Sequence, residues 1–189
     1  VHDDALAALS RLHDLPVHDS AERARLYREE LVGSPAHQSL TAAMDLWCAC
    51  WFWDALTPAR PGPAEFGELM SAIRTGRSTL PGHVVEPRLA EAGRIARDQR
   101  FFHWSLEFPE VFFADDGSPL PQAGFDAIIG NPPWEMLRGD SGTDGARAAR
   151  RVDTARLTRF ARQSGVFAAC ANGHANQYQL FVERSVSLL

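Results

Sequence analysis

The run FDAIIGNPPWEML, residues 125–137, ends an apolar, β-branched stretch on an asparagine, then places two prolines and a tryptophan where an ordinary turn would do. Each proline lacks a backbone N–H and fixes its own φ, and the residue before a proline is held extended. Asn131 and Pro132 are both kept out of helical geometry, which makes the loop stiff. Its carbonyls have no regular donors within the loop and stay free to accept from a ligand, and the Asn131 side chain adds another acceptor. Trp134 supplies a flat apolar face. Acceptors converging beside an aromatic platform suit a planar ring that carries an exocyclic amine. The tetrapeptide alone fits an Asn-Pro turn beside a core tryptophan equally well, so its flanks must decide.

Other residue sets offer weaker chemistry. Cys48 and Cys50 have no second pair to complete a metal site, and a helical Cys-x-Cys among tryptophans reads as core. Cys170 and His174 stand four apart without further partners, so no metal is expected. Glu107 and Glu110 flank Phe108-Pro109 at an expected strand end and read as structural. The chain contains no lysine, which excludes a Walker-type phosphate loop and a lysine-dependent nuclease centre. A net charge of -5 at pH 7 argues against a general DNA-coating role, but charge is uneven along the chain. Between Arg138 and Arg162 seven arginines face three aspartates. Arg147, Arg150, Arg151, Arg156 and Arg159 recur at helical intervals beside Leu157 and Phe160. A solvated helix face is the plain account of them, and contact with DNA phosphates is their candidate role.

The elements that must position these groups fall into two textures. At 189 residues the chain can make one domain of ordinary size or one and a half small ones. The first hundred residues read as helical. Asp19 and Glu22 resemble a capping box ahead of a helix carrying Leu26 and Leu31. SLTAAMDLWCACWFWDAL starts at an expected Ser39 cap and is apolar on all sides from Leu46 to Trp53, as in a helix enclosed by neighbours, and TPARPGP, residues 57–63, ends it. Phe66, Leu69, Met70 and Ile73 follow a Pro63 placed for a helix start, and Glu86–Arg97 forms another helix. From Phe101 the texture turns aromatic and β-branched, with strand-like runs in FFHWSLEFPEVFF and FDAIIG, the second apolar nearly throughout, as in a buried parallel strand. The boundary is placed near residue 100. GDSGTDG, residues 139–145, is a loop, followed by an arginine-rich helix and a final helix in the last dozen residues. In a doubly wound sheet ligands bind beyond the carboxyl ends of strands, where Asn131 stands relative to Phe125–Ile129. No stretch approaches the roughly 20 apolar residues of a membrane span. With no secretory signal and three sparse cysteines, the expected location is a reducing compartment, the cytoplasm.

FDAIIGNPPWE resembles motif IV of the class I adenine-N6 DNA methyltransferases. FFHWSLEFPEVF and LWCACWFWD upstream, and GHANQYQLFVERSVSLL downstream, resemble large bacterial restriction-modification methylases, including combined restriction-methylation (type IIG-like) enzymes. The resemblance is closest over residues 100–136 and 173–189 and looser around 40–56. It implies an α/β fold in which a helical insertion, residues 1–100, precedes part of a Rossmann-like methyltransferase sheet, residues 101–189. It implies S-adenosylmethionine as methyl donor, double-stranded DNA as partner and a restriction-modification or phage-defence role. The target adenine would be rotated out of the duplex, because its amine is unreachable in the stack. The Asn131 side-chain oxygen and the Pro132 carbonyl would accept the two N6 hydrogens, Pro133 would hold the geometry, and Trp134 would stack on the base. Asn176 and Tyr178 fit the family pattern without an evident role.

The family binds its donor on a loop with two glycines separated by one residue, and no two glycines here stand two positions apart. Cofactor-binding residues are therefore not identifiable. The chain is expected to be the central part of a longer polypeptide, inactive alone, with the donor site in the rest of the parent. Two alternatives stay open: a methyltransferase acting on RNA or on a protein amide nitrogen, since related motifs serve both, and a non-catalytic DNA-binding or interaction fragment.

Overall fold

The computed structural model describes residues 20–54, 56–114, 116–133, 144–169 and 176–189, with the side chains at 20, 23, 30, 31 and 144–150 outside the description. The chain divides into two compact units, Val1–Ala123 and Gly124–Leu189.

In the first unit, α1 (Ser20–Leu26) widens into a π-helical turn, Tyr27–Val32. The next helix, α2 (Pro35–Phe52), starts earlier than the expected Ser39 cap. Ser34 is the cap: its hydroxyl oxygen accepts from the His37 N–H at 3.1 Å, and Pro35, which has no N–H to satisfy, takes the first helical position. The expected Asp19–Glu22 box and the packing of Leu31 lie outside the described residues and side chains. Helix α3 (Pro63–Thr75) begins at Pro63 as expected, and Glu65 both accepts from the Gly62 N–H at 3.1 Å and pairs with Arg88 of α4 (Gly82–Gln99) at 3.1 Å. The α3–α4 turn is held by Glu68, which accepts from the Thr79 N–H at 2.6 Å and the Ser78 hydroxyl at 3.0 Å.

The core of this unit is Leu46, Ala49 and Trp53 of the α2 region, Leu69 of α3, and Ala92 and Ile95 of α4. Positions 46, 49 and 53 lie on one face of a helix and carry the buried apolar side chains of this stretch, while the buried His37 stands nearer the start of the same helix. Trp47 is 38% exposed, so the expectation of a helix enclosed on all sides is corrected. Its all-round apolarity includes two half-buried, free cysteines. Burial pushes the Cys48 thiol up to about 11, which keeps it protonated at neutral pH.

The strand expected in FFHWSLEFPEVFF is also corrected: this run forms two short helices, α5 (Trp104–Glu107) and α6 (Pro109–Phe112). Trp104, Phe108 and Phe112 recur every fourth residue, a helical period beneath a β-like composition. Pro109, which cannot donate to a ladder, starts the second helix. Trp104 stacks on Phe108 with ring centroids 6.0 Å apart, and Phe101 meets Phe52 at 5.6 Å. Glu107 and Glu110 thus sit on these helices rather than at a strand end. Among the described residues no strand ladder forms: an isolated antiparallel bridge joins Phe113 to Pro119, and Asn176 also takes a bridge position. Phe125–Ile129, expected as a parallel strand, has no ladder there. The amide of Phe125 donates instead to the carbonyl of Leu188 at 2.8 Å.

A buried polar cluster ties α5 to α2. His103 is 8% exposed, with its Nε2 2.8 Å from Asp45 Oδ1. The Tyr27 hydroxyl donates to Glu107, and burial, reinforced by that carboxylate, pushes the phenol up. His37, 7% exposed, has Nδ1 3.4 Å from the Thr41 hydroxyl. Its imidazole is pushed down, first by burial, against the attraction of Glu107 and with the repulsion of His103. Because the folded state holds the His37 proton less tightly than the unfolded chain, the unfolded chain binds more protons as pH falls below roughly 6.5. Stability from this group is present above that pH and is lost below it, down to the folded value. Urea midpoints are expected to fall between pH 7.5 and pH 5, and to fall less in His37→Leu. Equal slopes in the two proteins would remove His37 as the cause.

In the second unit, α7 (Asp144–Gln163) and α8 (Gln177–Val186) are the helices expected after the loop at 139–145, whose residues 139–143 lie outside the described residues. Among the described residues Ala161, Leu180 and Leu188 are its buried apolar side chains, and Phe160 meets Phe167 edge-on at 5.9 Å. Among the described residues no helix is long and apolar enough to cross a membrane.

Candidate functional site

The segment leading to Asn131 is placed by α8. That helix starts with a reciprocal cap: the Asn176 side chain accepts from the Tyr178 N–H at 3.3 Å, and the Gln179 side chain accepts from the Asn176 N–H at 3.0 Å. Asn176, for which the sequence offered no role, is thus a helix start, and the spacing N-x-x-Q was the signal for it. Glu183, one turn from the other end, accepts from the amides of Ala168 at 2.5 Å and Ala169 at 2.7 Å. These two bonds fix the stretch that follows α7. A charge-assisted pair of this kind is not visible in sequence, because nothing local marks its partners.

Two close approaches bind the segment to this helix and to the residues that follow it. Gly124 has φ +150°, a conformation that side chains disfavour, and a Cβ there would lie 2.5 Å from the Leu189 carbonyl oxygen. The Phe125 amide bond to Leu188 follows at once. Six residues later, the Cβ direction of Gly130 points at the Phe181 ring, with Cζ at 2.8 Å. At Gly124 the backbone of Leu189 and the positive φ require glycine, whereas at Gly130 a Cβ would have to displace the Phe181 ring.

The chain from Asp126 onward is largely at the surface, with Ala127 and Gly130 exposed as well. Ile129 is 100% exposed, and Asn131 and Pro133 are exposed, with Pro132 half-buried. Among the described residues the Asn131 side chain has no hydrogen-bond partner. Trp134, the expected stacking face, lies outside the described residues. Of the arginines, Arg151 is exposed, Arg156 pairs with Asp153 at 3.0 Å, and Arg159 is half-buried on the same helix, while the side chains of Arg147 and Arg150 lie outside the description. Cys170 and His174 are likewise outside, and no group of three or more metal-ligating side chains occurs among the described residues.

Residues 39–189 match the Eco57I restriction-modification methylases as a family. The chain belongs to that family. Membership implies a methyltransferase of the restriction-modification kind with DNA as its substrate. Comparison with curated proteins and with solved structures gives no match. The matched span includes α2, the short aromatic helices, the Asn131 segment and α8, so both units contribute to what the family shares.

Proposed function

We propose that this chain carries the base-facing loop of a site-specific DNA adenine-N6 methyltransferase that uses S-adenosylmethionine, with residues 101–189 forming part of the catalytic domain and 1–100 a helical insertion. The observation that carries the proposal is Asn131: an exposed amide ahead of two prolines, on a segment clamped from behind, in a restriction-modification methylase. Its oxygen and the Pro132 carbonyl would accept the two N6 hydrogens of an extruded adenine. That draws lone-pair density out of ring conjugation and onto the nitrogen, which becomes nucleophilic. Alignment, not a covalent enzyme intermediate, would supply the rate. Trp134 would stack on the base, at about 1–3 kcal/mol for such contacts.

The described residues do not fit the donor. Beside Asn131, the space at Gly124 and Gly130 is filled by Leu189 and Phe181 and leaves no cradle, and no pair of glycines has the donor-loop spacing. No step through the donor is therefore assigned to this chain. The protein from the intact open reading frame, incubated with labelled donor and DNA, should yield N6-methyladenine on nucleoside digestion and mass spectrometry. Label in cytosine, RNA or protein would replace the adenine reading, and DNA binding with no donor uptake would favour a non-catalytic module.

Arg151 gives a separate test of the helical arginine face. If it touches phosphate, Arg151→Ala should weaken binding similarly for all DNA sequences and flatten the slope of log K against log salt by about 1, the share of one neutralised phosphate. An unchanged slope would leave Arg151 as a solvated surface residue.

A further inference from the structure

We propose that Phe181 is a positioning residue for the Asn131 loop, acting through the backbone of Gly130; this rests on the adenine reading above. The segment runs antiparallel to α8, with Phe125 bonded to Leu188 at one end and Gly130 against Phe181 at the other. Those two points on the C-terminal stretch are seven residues apart, roughly 10 Å at a helical rise. The five residues from Phe125 to Gly130 could span about 16 Å if fully extended. The chain between the grips therefore has slack of several ångströms, and the Phe125–Leu188 bond alone does not fix where Asn131 stands. Downstream, Pro132 and Pro133 stiffen the loop but do not anchor it. Upstream, the joint is Gly130, the least restricted residue type.

The Phe181 ring removes that freedom. Its Cζ lies 2.8 Å and its Cε1 3.4 Å from the position a Gly130 Cβ would take, so the ring edge sits directly on the glycine. The helix that carries the ring is itself held, since the reciprocal Asn176–Gln179 cap fixes the start of α8 and the neighbouring Leu180 is 6% exposed. Phe181 remains 36% exposed, more than its packing within the unit would require of a core phenylalanine. Its contact with Gly130 is therefore a stop for the loop, one residue before the acceptor amide.

Steady-state kinetics on the protein from the intact open reading frame test this. Phe181→Ala should lower kcat for N6-methyladenine formation about 10- to 100-fold, in the range that ångström-scale misplacement produces, with KM for DNA within about twofold of wild type. Phe181→Leu, which keeps apolar bulk near Gly130, should recover most of the loss. Gly130→Ala should also lower kcat, and adding Phe181→Ala to it should cost less than the product of the single effects, because both changes act on one contact. Should Phe181→Ala fail to fold, the Phe181→Leu and Gly130→Ala pair and their double variant carry the same comparison. Wild-type kcat in Phe181→Ala, multiplicative losses, or losses that merely track the folded fraction would overturn the inference while leaving the adenine reading standing. Absence of N6-methyladenine from the wild-type protein would instead overturn both.

Discussion

Asn131→Ala is expected to lower kcat for DNA adenine methylation by at least about 10²-fold, equivalent to roughly 3 kcal/mol of transition-state stabilisation, while DNA binding stays within a few-fold of wild type. The side chain is exposed and makes no bond among the described residues, so its removal strips no described partner of a hydrogen bond. The loss should therefore fall on chemistry and not on folding. The oxygen is required only when the amine gives up its conjugation, so the deficit belongs in kcat rather than KM. Asn131→Asp retains an acceptor oxygen and should lose less than the alanine variant. Methyl incorporation measured beside a gel-shift titration at fixed salt separates the two quantities, and turnover at the wild-type rate in Asn131→Ala would remove the residue from the mechanism.

The largest effect on stability is expected at Leu46→Ala. Leu46 is 0% exposed, at the centre of the cluster where α2 meets α3 and α4. Cutting back its side chain forfeits transfer free energy and opens a cavity between three helices that are capped or pinned and cannot readily close over it, at a cost of about 3 kcal/mol. Urea unfolding should show a lower midpoint with an unchanged slope. Trp47→Ala, three-eighths exposed on the other side of α2, should cost far less. Equal losses at the two positions would mean that the exposed tryptophan face is covered in solution.

The helices of the first unit are legible in the sequence because their signals are local. Pro63 marks the start of α3, and the period of Phe66, Leu69, Met70 and Ile73 marks its inner face. Apolar periodicity becomes dense only after Ser39, which favours that residue as a cap on pattern alone, although a serine ahead of Pro35 is the better physical start. The aromatic run from Phe101 misleads through composition: phenylalanine and tryptophan favour strands on average, but their four-residue recurrence and Pro109 favour helix, and packing on Phe52 decides the outcome. At the site, the exposure of Asn131 follows from the two prolines after it. The roles of Phe181, Glu183 and Leu188 depend on neighbours brought together by the fold, and nothing in the order of residues announces them.

The grip of α8 on the Gly124–Gly130 segment also sets an order of events during synthesis. About fifty residues separate Asn131 from Phe181, so at roughly 5–20 residues per second the ribosome finishes the acceptor loop several seconds before it makes the ring that steadies it. In that interval the segment has neither the Leu188 carbonyl nor the ring to lean on. On the proposed reading, a nascent chain would gain this support for the Asn131 loop only after α8 has emerged.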